Sequence, residues 1–168
     1  AITQIAAMGE ALFMGRLEAA LENGLRLIQL REKAFSPREQ GRLAQQVIAR
    51  AHAHGARVVV NSGMDPACVA GADGLHLTSA NLMVLGQRPQ QGLCGASCHN
   101  AAELARAVEL GLDYVLLGAV RPTLSHPGEA ALGWDGFAEL IKDYPLPVYA
   151  LGGMQPEHLE TAWNSGAH

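Results

Sequence analysis

The chain has 168 residues, 49% of them apolar, which is enough for one sizeable core and short for two. Its net charge of −4 comes from 12 basic and 16 acidic residues scattered without runs, which argues against nucleic acid or an anionic membrane as a partner. No apolar window approaches the ~18 residues that cross a bilayer, and the N-terminus lacks the layout of a signal peptide. The three cysteines, Cys68, Cys94 and Cys98, form no Cys-x-x-Cys pair, so reduced thiols in or near the core of a cytoplasmic protein are expected.

In chain order, one phrase recurs. "NGLRLIQL" starts at Asn23, "HGARVVV" at His54, "AGADGLHL" at Ala70 and "LGLDYVLL" at Leu110, and "NSGAH" begins the same phrase at Asn164. Each sets a glycine before a small or polar residue and then an apolar, β-rich run, the pattern of a helix stop followed by a strand. Helical patterns precede them. "GEALFMGRLEAALE" places Leu12, Leu17 and Leu21 on related faces, "SPREQGRLAQQVIARAHA" opens on Ser36 and Pro37 as N-cap and first turn, and "NAAELARAVEL" opens on Asn100. Strands are predicted near 1–3, 26–31, 57–61, 73–77, 92–97, 113–118 and 147–151. Continuous apolar strands separated by helices read as buried parallel strands in right-handed βαβ units, hence an α/β fold. A Gly-x-Gly-x-x-Gly fingerprint is absent, which disfavours a dinucleotide-binding doubly wound sheet. The prediction is therefore a single domain over 1–168, a (β/α)8 TIM barrel lacking its last strand and helix.

In such a barrel, chemistry belongs at the C-terminal strand ends. "QLREK" puts Gln29, Arg31 and Lys33 on one strand face, a set suited to phosphate or diphosphate, with rim pairing among Arg31, Glu32 and Lys33 as the alternative. Further strand ends carry Asn61, His76, and Ser97 with His99 beyond it. His76 reads as a core residue and His99 as a contact to the next helix. "RPTLSHPG" (121–128) follows a buried strand, and Gly152-Gly153 offers bare backbone to an anion. No three-ligand metal spacing is present among the histidines.

The ordered segments "LIQLREK", "VVVNS", "GADGLHL", "GASCH", "GLDYVLLGAVRPTLSH" and "PVYALGGM" resemble the thiamine-phosphate synthase and TenI-like family over nearly the whole chain. The resemblance implies a barrel that binds a thiazole phosphate and, in the synthase, joins it to a pyrimidine diphosphate with loss of pyrophosphate. It implies that Gln29, Arg31, Lys33 and Asn61 hold the pyrimidine diphosphate; Ser97, at the end of the fifth predicted strand, is a further substrate-binding candidate. Thr123, Ser125, Gly152 and Gly153 would hold the thiazole phosphate, which makes "RPTLSHPG" a phosphate-gripping lid.

Departures from the family pattern bear on the reaction. The positions expected to carry Mg²⁺-binding aspartates are Ser62 and Asn81, so no cofactor is expected to be required and Mg²⁺ is doubtful. Asp65, three residues beyond Ser62, is a candidate substitute, though its spacing is better explained as an N-cap before Pro66. The lid holds His126 where the family has lysine, and the "Gly-His-Val" histidine of the tautomerase branch is replaced by Ala119. The favoured expectation is a metal-independent, tautomerase-like thiazole chemistry with His126 and Ser125 as catalytic residues. An active synthase and a non-catalytic phosphate-binding module are the alternatives. Expected partners are small phosphorylated thiazole or pyrimidine ligands. The lid style also resembles domains fused behind a Nudix hydrolase, and a homo-oligomer is compatible with the sequence.

Overall fold

In the computed structural model, which describes residues 1–90, 92–123 and 130–168, helices alternate with parallel strands. The chain divides into two compact units, residues 1–76 with 89–94, and residues 77–88 with 95–168. Among the described residues no helix is long and apolar enough to cross a membrane.

The first unit holds α1 (Ile5–Met8), α2 (Glu10–Glu22), β1 (Leu27–Leu30), α3 (Pro37–Ala53), β2 (Arg57–Asn61), a 3₁₀ turn (Pro66–Val69) and all but the last residue of β3 (Gly74–Leu77). β1 pairs with β2 and β2 with β3, both parallel, in a register that sets Gln29 beside Val59, Val59 beside Gly74 and Asn61 beside His76. Side chains alternate across a strand. Ile28, Leu30, Val58 and Val60 therefore face the helices, where they join Leu17, Leu21, Leu43 and Val47 in one core cluster. Gln29, Val59, Asn61 and His76 point to the opposite face. Ser36 caps α3 as predicted: its hydroxyl accepts from the Glu39 amide while the Glu39 carboxylate reaches back to the Ser36 amide. Leu12 departs from its predicted face and is exposed; Phe13 and Met14 are buried beside Leu17 and Leu21 instead.

The second unit holds α4 (Ser79–Val84), most of β4 (Leu93–Cys98), α5 (Ala101–Glu109), β5 (Tyr114–Leu117), α6 (Gly133–Ile141), β6 (Val148–Ala150), a 3₁₀ turn (Pro156–His158) and α7 (Leu159–Asn164). β4 pairs with β5 and β5 with β6, again parallel. The Tyr114 ring lies directly over Gly95, its register partner, where any side chain would collide with it. Asn100 caps α5 through the Glu103 amide, as its position predicts. Trp134 meets Phe137 edge-on at 6.0 Å, and Trp163 on α7 is 60% exposed.

The glycines of the recurring phrase, Gly24, Gly55, Gly71, Gly111 and Gly166, all adopt positive φ, so the helix-stop reading holds at each. The predicted strands from 26–31 onward are present within a residue or two of their expected bounds. The first is not: residues 1–3 make a single parallel bridge, Ile2 to Gln29, because the chain turns at once into α1. The described residues thus give an α/β fold of six parallel strands where seven were predicted for a barrel of eight. The three cysteines are buried, and burial, with Glu103 nearby, pushes the Cys98 thiol up to about 12.

Candidate functional site

Glu32 organises the end of β1. It is flanked by two cations in sequence, and pairing with them at the rim was the alternative to a phosphate-binding role for those cations. The structure rules against that alternative: the buried Glu32 carboxylate accepts from the amides of Ile5 at 2.7 Å and Ala6 at 3.3 Å, at the start of α1. Just past the end of β1, residue 32 is buried while 31 and 33 are exposed. Arg31 and Lys33 are left exposed, and neither side chain has a carboxylate partner among the described residues. The Arg31 amide donates to the Thr3 hydroxyl at 3.0 Å, which fixes the backbone where the two cations emerge.

Behind the cations lies a row of buried polar groups on the face opposite the helices. Gln29 is 5% exposed, and its amide nitrogen has no acceptor among the described residues. Leaving such a donor unpaired costs about 1–3 kcal/mol, so this nitrogen is available to an acceptor from outside the described residues. Asn61 is buried, its side-chain oxygen accepting from the Gly63 amide at 3.0 Å. Its register neighbour His76 is fully buried, and burial pushes its pKa down to about 3, so the imidazole is neutral at physiological pH. The end of the Lys33 side chain rests against Gly63: a Cβ on that glycine would meet the lysine Cε at 2.6 Å and its Nζ at 2.8 Å. Gln40 ties the flanking loops together, donating to the Phe35 carbonyl and accepting from the Asp65 amide. Lys33 and Asn61 therefore meet at Gly63, and Gln29 lies on the same sheet face as Asn61. Glu32 and Gly63 were missed; the odd-even alternation of "LREK" is the signal that would have found Glu32.

In the second unit, a cavity of about 80 Å³ lies past the ends of β4 and β5, lined by His99, Gly118, Ala119, Pro122, Thr123, Ala130 and Leu132. Gly152 and Gly153, both at positive φ, press against the segment 119–122, where a Cβ on Gly152 would lie 2.7 Å from the Ala119 methyl. The Gly152 carbonyl accepts from the Arg121 amide at 3.2 Å, while the amides of the two glycines donate to nothing among the described residues. The structure thus brings Thr123 to the cavity and lays the two glycines on the segment that leads to it. Ser97 stands on β4 in register with Leu116 and is not part of the cavity wall. His99 contacts α5 as expected, its amide and ring nitrogen both on Glu103. Ser125 and His126, predicted as catalytic, lie outside the described residues.

The family resemblance implies a metal, and the donors present do not fit one. Ser62 donates its amide to the His76 carbonyl, Asn81 donates its amide to the Thr78 hydroxyl within the α4 cap, and each brings only a neutral side-chain oxygen where Mg²⁺ favours carboxylates. No cluster of three or more metal-binding side chains occurs among the described residues.

A family model described as thiamine monophosphate synthase matches residues 1–168. The thiamine-phosphate synthase of Thermosynechococcus vestitus is 37% identical over 154 residues, covering 90% of this chain, which spans only 44% of that relative. The thiamine-phosphate synthase of Mycolicibacterium smegmatis is 38% identical over 166 residues, covering 89% of this chain and 72% of the relative. In fold, the chain is similar to a thiamine phosphate pyrophosphorylase from Pyrococcus furiosus, with a TM-score of 0.78 at 23% identity, covering 99% of this chain and 80% of that one. With polar strand ends in the order that the resemblance implied and a family match along its full length, the chain belongs to the thiamine monophosphate synthase family.

Proposed function

We propose that this chain carries the substrate-binding body of a thiamine-phosphate synthase, joining a thiazole phosphate to a pyrimidine diphosphate with release of pyrophosphate. This reverses the order of the two readings made from the sequence, where loss of the aspartates favoured a tautomerase. The synthase names of the relatives support the reversal, as does the cationic strand end, for which a tautomerase has no use. The observation that carries the reading is the uncommitted pair Arg31 and Lys33 beside the unpaired Gln29 amide.

In this reading the thiazole nitrogen attacks the pyrimidine methylene, a C–N bond forms, and the C–O bond to the diphosphate breaks. The bonding pair leaves on the diphosphate oxygen. Arg31 presents a planar fork and Lys33 a point charge to that growing anion, while Gln29 and Asn61 supply neutral donors. The turn of Glu32 toward α1 leaves Arg31 and Lys33 without it as an ion-pair partner. On the second unit, Thr123 and the free amides of Gly152 and Gly153 are suited to the thiazole phosphate.

The test is a coupling assay with thiazole phosphate and hydroxymethylpyrimidine diphosphate, run with and without Mg²⁺, on the unmodified chain and on Arg31→Ala with Lys33→Ala. Coupled product that falls at least about a hundredfold in the double variant is expected. Absence of product, with thiazole phosphate isomerised instead, would sink the synthase reading in favour of the tautomerase.

A further inference from the structure

We infer that Gly63 is a positioning residue for the anion site: its missing side chain seats the Lys33 ammonium, and its amide aims the Asn61 carboxamide. The inference rests on the reading of Lys33 as an anion ligand and goes beyond it in naming what holds that ligand in place.

Two observations meet at this glycine. Its N–H is donated to the Asn61 side-chain oxygen at 3.0 Å, while the Met64 amide is donated to the Asn61 carbonyl, so the turn after β2 grips Asn61 at both its oxygens. The grip turns the Asn61 amide nitrogen, a donor, away from the turn. The second observation is steric. The point that a Cβ would occupy on Gly63 is 2.6 Å from the lysine Cε, 2.8 Å from its Nζ and 3.2 Å from the Asn61 side-chain oxygen. The ammonium and the carboxamide therefore gather on one side of a residue with no bulk of its own. A long lysine side chain on an exposed strand end ordinarily samples many rotamers, and a flat backbone floor restricts them at no cost in packing.

The same geometry makes the idea separable from folding. The atoms that an alanine would strike are the far end of a flexible side chain, and Gly63 does not occupy the left-handed φ region that only glycine tolerates. Gly63→Ala keeps the N–H that Asn61 accepts. Its main predicted consequence is to push the Lys33 tip off its seat, with a shift of a few tenths of an ångström at the Asn61 side-chain oxygen 3.2 Å away.

The experiment is calorimetric titration with inorganic pyrophosphate of the unmodified chain, Gly63→Ala, Lys33→Ala and the double variant, with urea unfolding of each. Gly63→Ala is expected to unfold at an unchanged midpoint and to weaken pyrophosphate by roughly three- to tenfold, the scale of one misaligned charge-assisted contact. In the Lys33→Ala background the same change is expected to do nothing further, a non-additivity that a merely structural role would not produce. Unaltered affinity in Gly63→Ala, or a full additional loss in the double variant, would overturn the inference while leaving Lys33 as a ligand. If Lys33→Ala binds pyrophosphate as the unmodified chain does, the anion-site reading itself fails, and this inference with it.

Discussion

Glu32 shows how one side chain decides what its neighbours are free to do. Its carboxylate accepts from two amides at the start of α1, and buried donors that lose such a partner cost about 1–3 kcal/mol. Glu32→Ala should therefore lower the free energy of unfolding by about that amount, read as a shift in the urea midpoint, and an unchanged midpoint would show that α1 is held by other means. The sequence made the cations legible and the carboxylate's role illegible. A run of alternating charges looks the same whether its members pair with each other or with distant backbone, and only the fold distinguishes them. Gly63 was invisible for a related reason, since a residue that acts through an absent atom leaves no chemical trace in the sequence.

Among the elements, α3 illustrates what local sequence can specify. Ser36, Pro37 and Glu39 form a complete capping box at its start, and both of its hydrogen bonds are made. Ser36→Ala is expected to destabilise the chain by about 1 kcal/mol, checked by urea unfolding; no loss would mean that the Glu39 carboxylate alone suffices. The helix stops were equally legible, because positive φ after a helix strongly favours glycine. The first strand was not. "AIT" carries strand propensity, but a single bridge to Gln29 is all that it forms before α1 begins, where Glu32 accepts from the Ile5 and Ala6 amides. Leu12 was misplaced because helical spacing fixes which residues share a face and leaves open which face is buried; Phe13 and Met14 took the core side.

For the molecule as a whole, a fully buried neutral histidine couples stability to pH. The pKa of His76 is pushed down to about 3 when folded, whereas an unfolded histidine takes up a proton near 6.5. The unfolded chain thus binds the proton first, so the contribution is fully present above about pH 6.5 and is lost as pH falls from there toward 3, by about 1.4 kcal/mol per unit. Urea midpoints measured between pH 7 and 5.5, above most carboxylate titration, should fall more steeply in the unmodified chain than in His76→Gln. Equal slopes would place the imidazole in water. At this scale the α/β class and the order of strand ends were readable from the repeated helix-stop phrase, while the lid residues Ser125 and His126 lie outside the described residues and their predicted roles rest on the sequence alone.

Both tryptophans, Trp134 and Trp163, belong to the second unit. Indole emission consequently reports on that unit alone, whereas far-ultraviolet circular dichroism averages over the helices of both. Unfolding curves from the two signals that superimpose mean a single cooperative transition; curves that separate resolve the melting of the cationic strand end from that of the glycine-rich one without any added label.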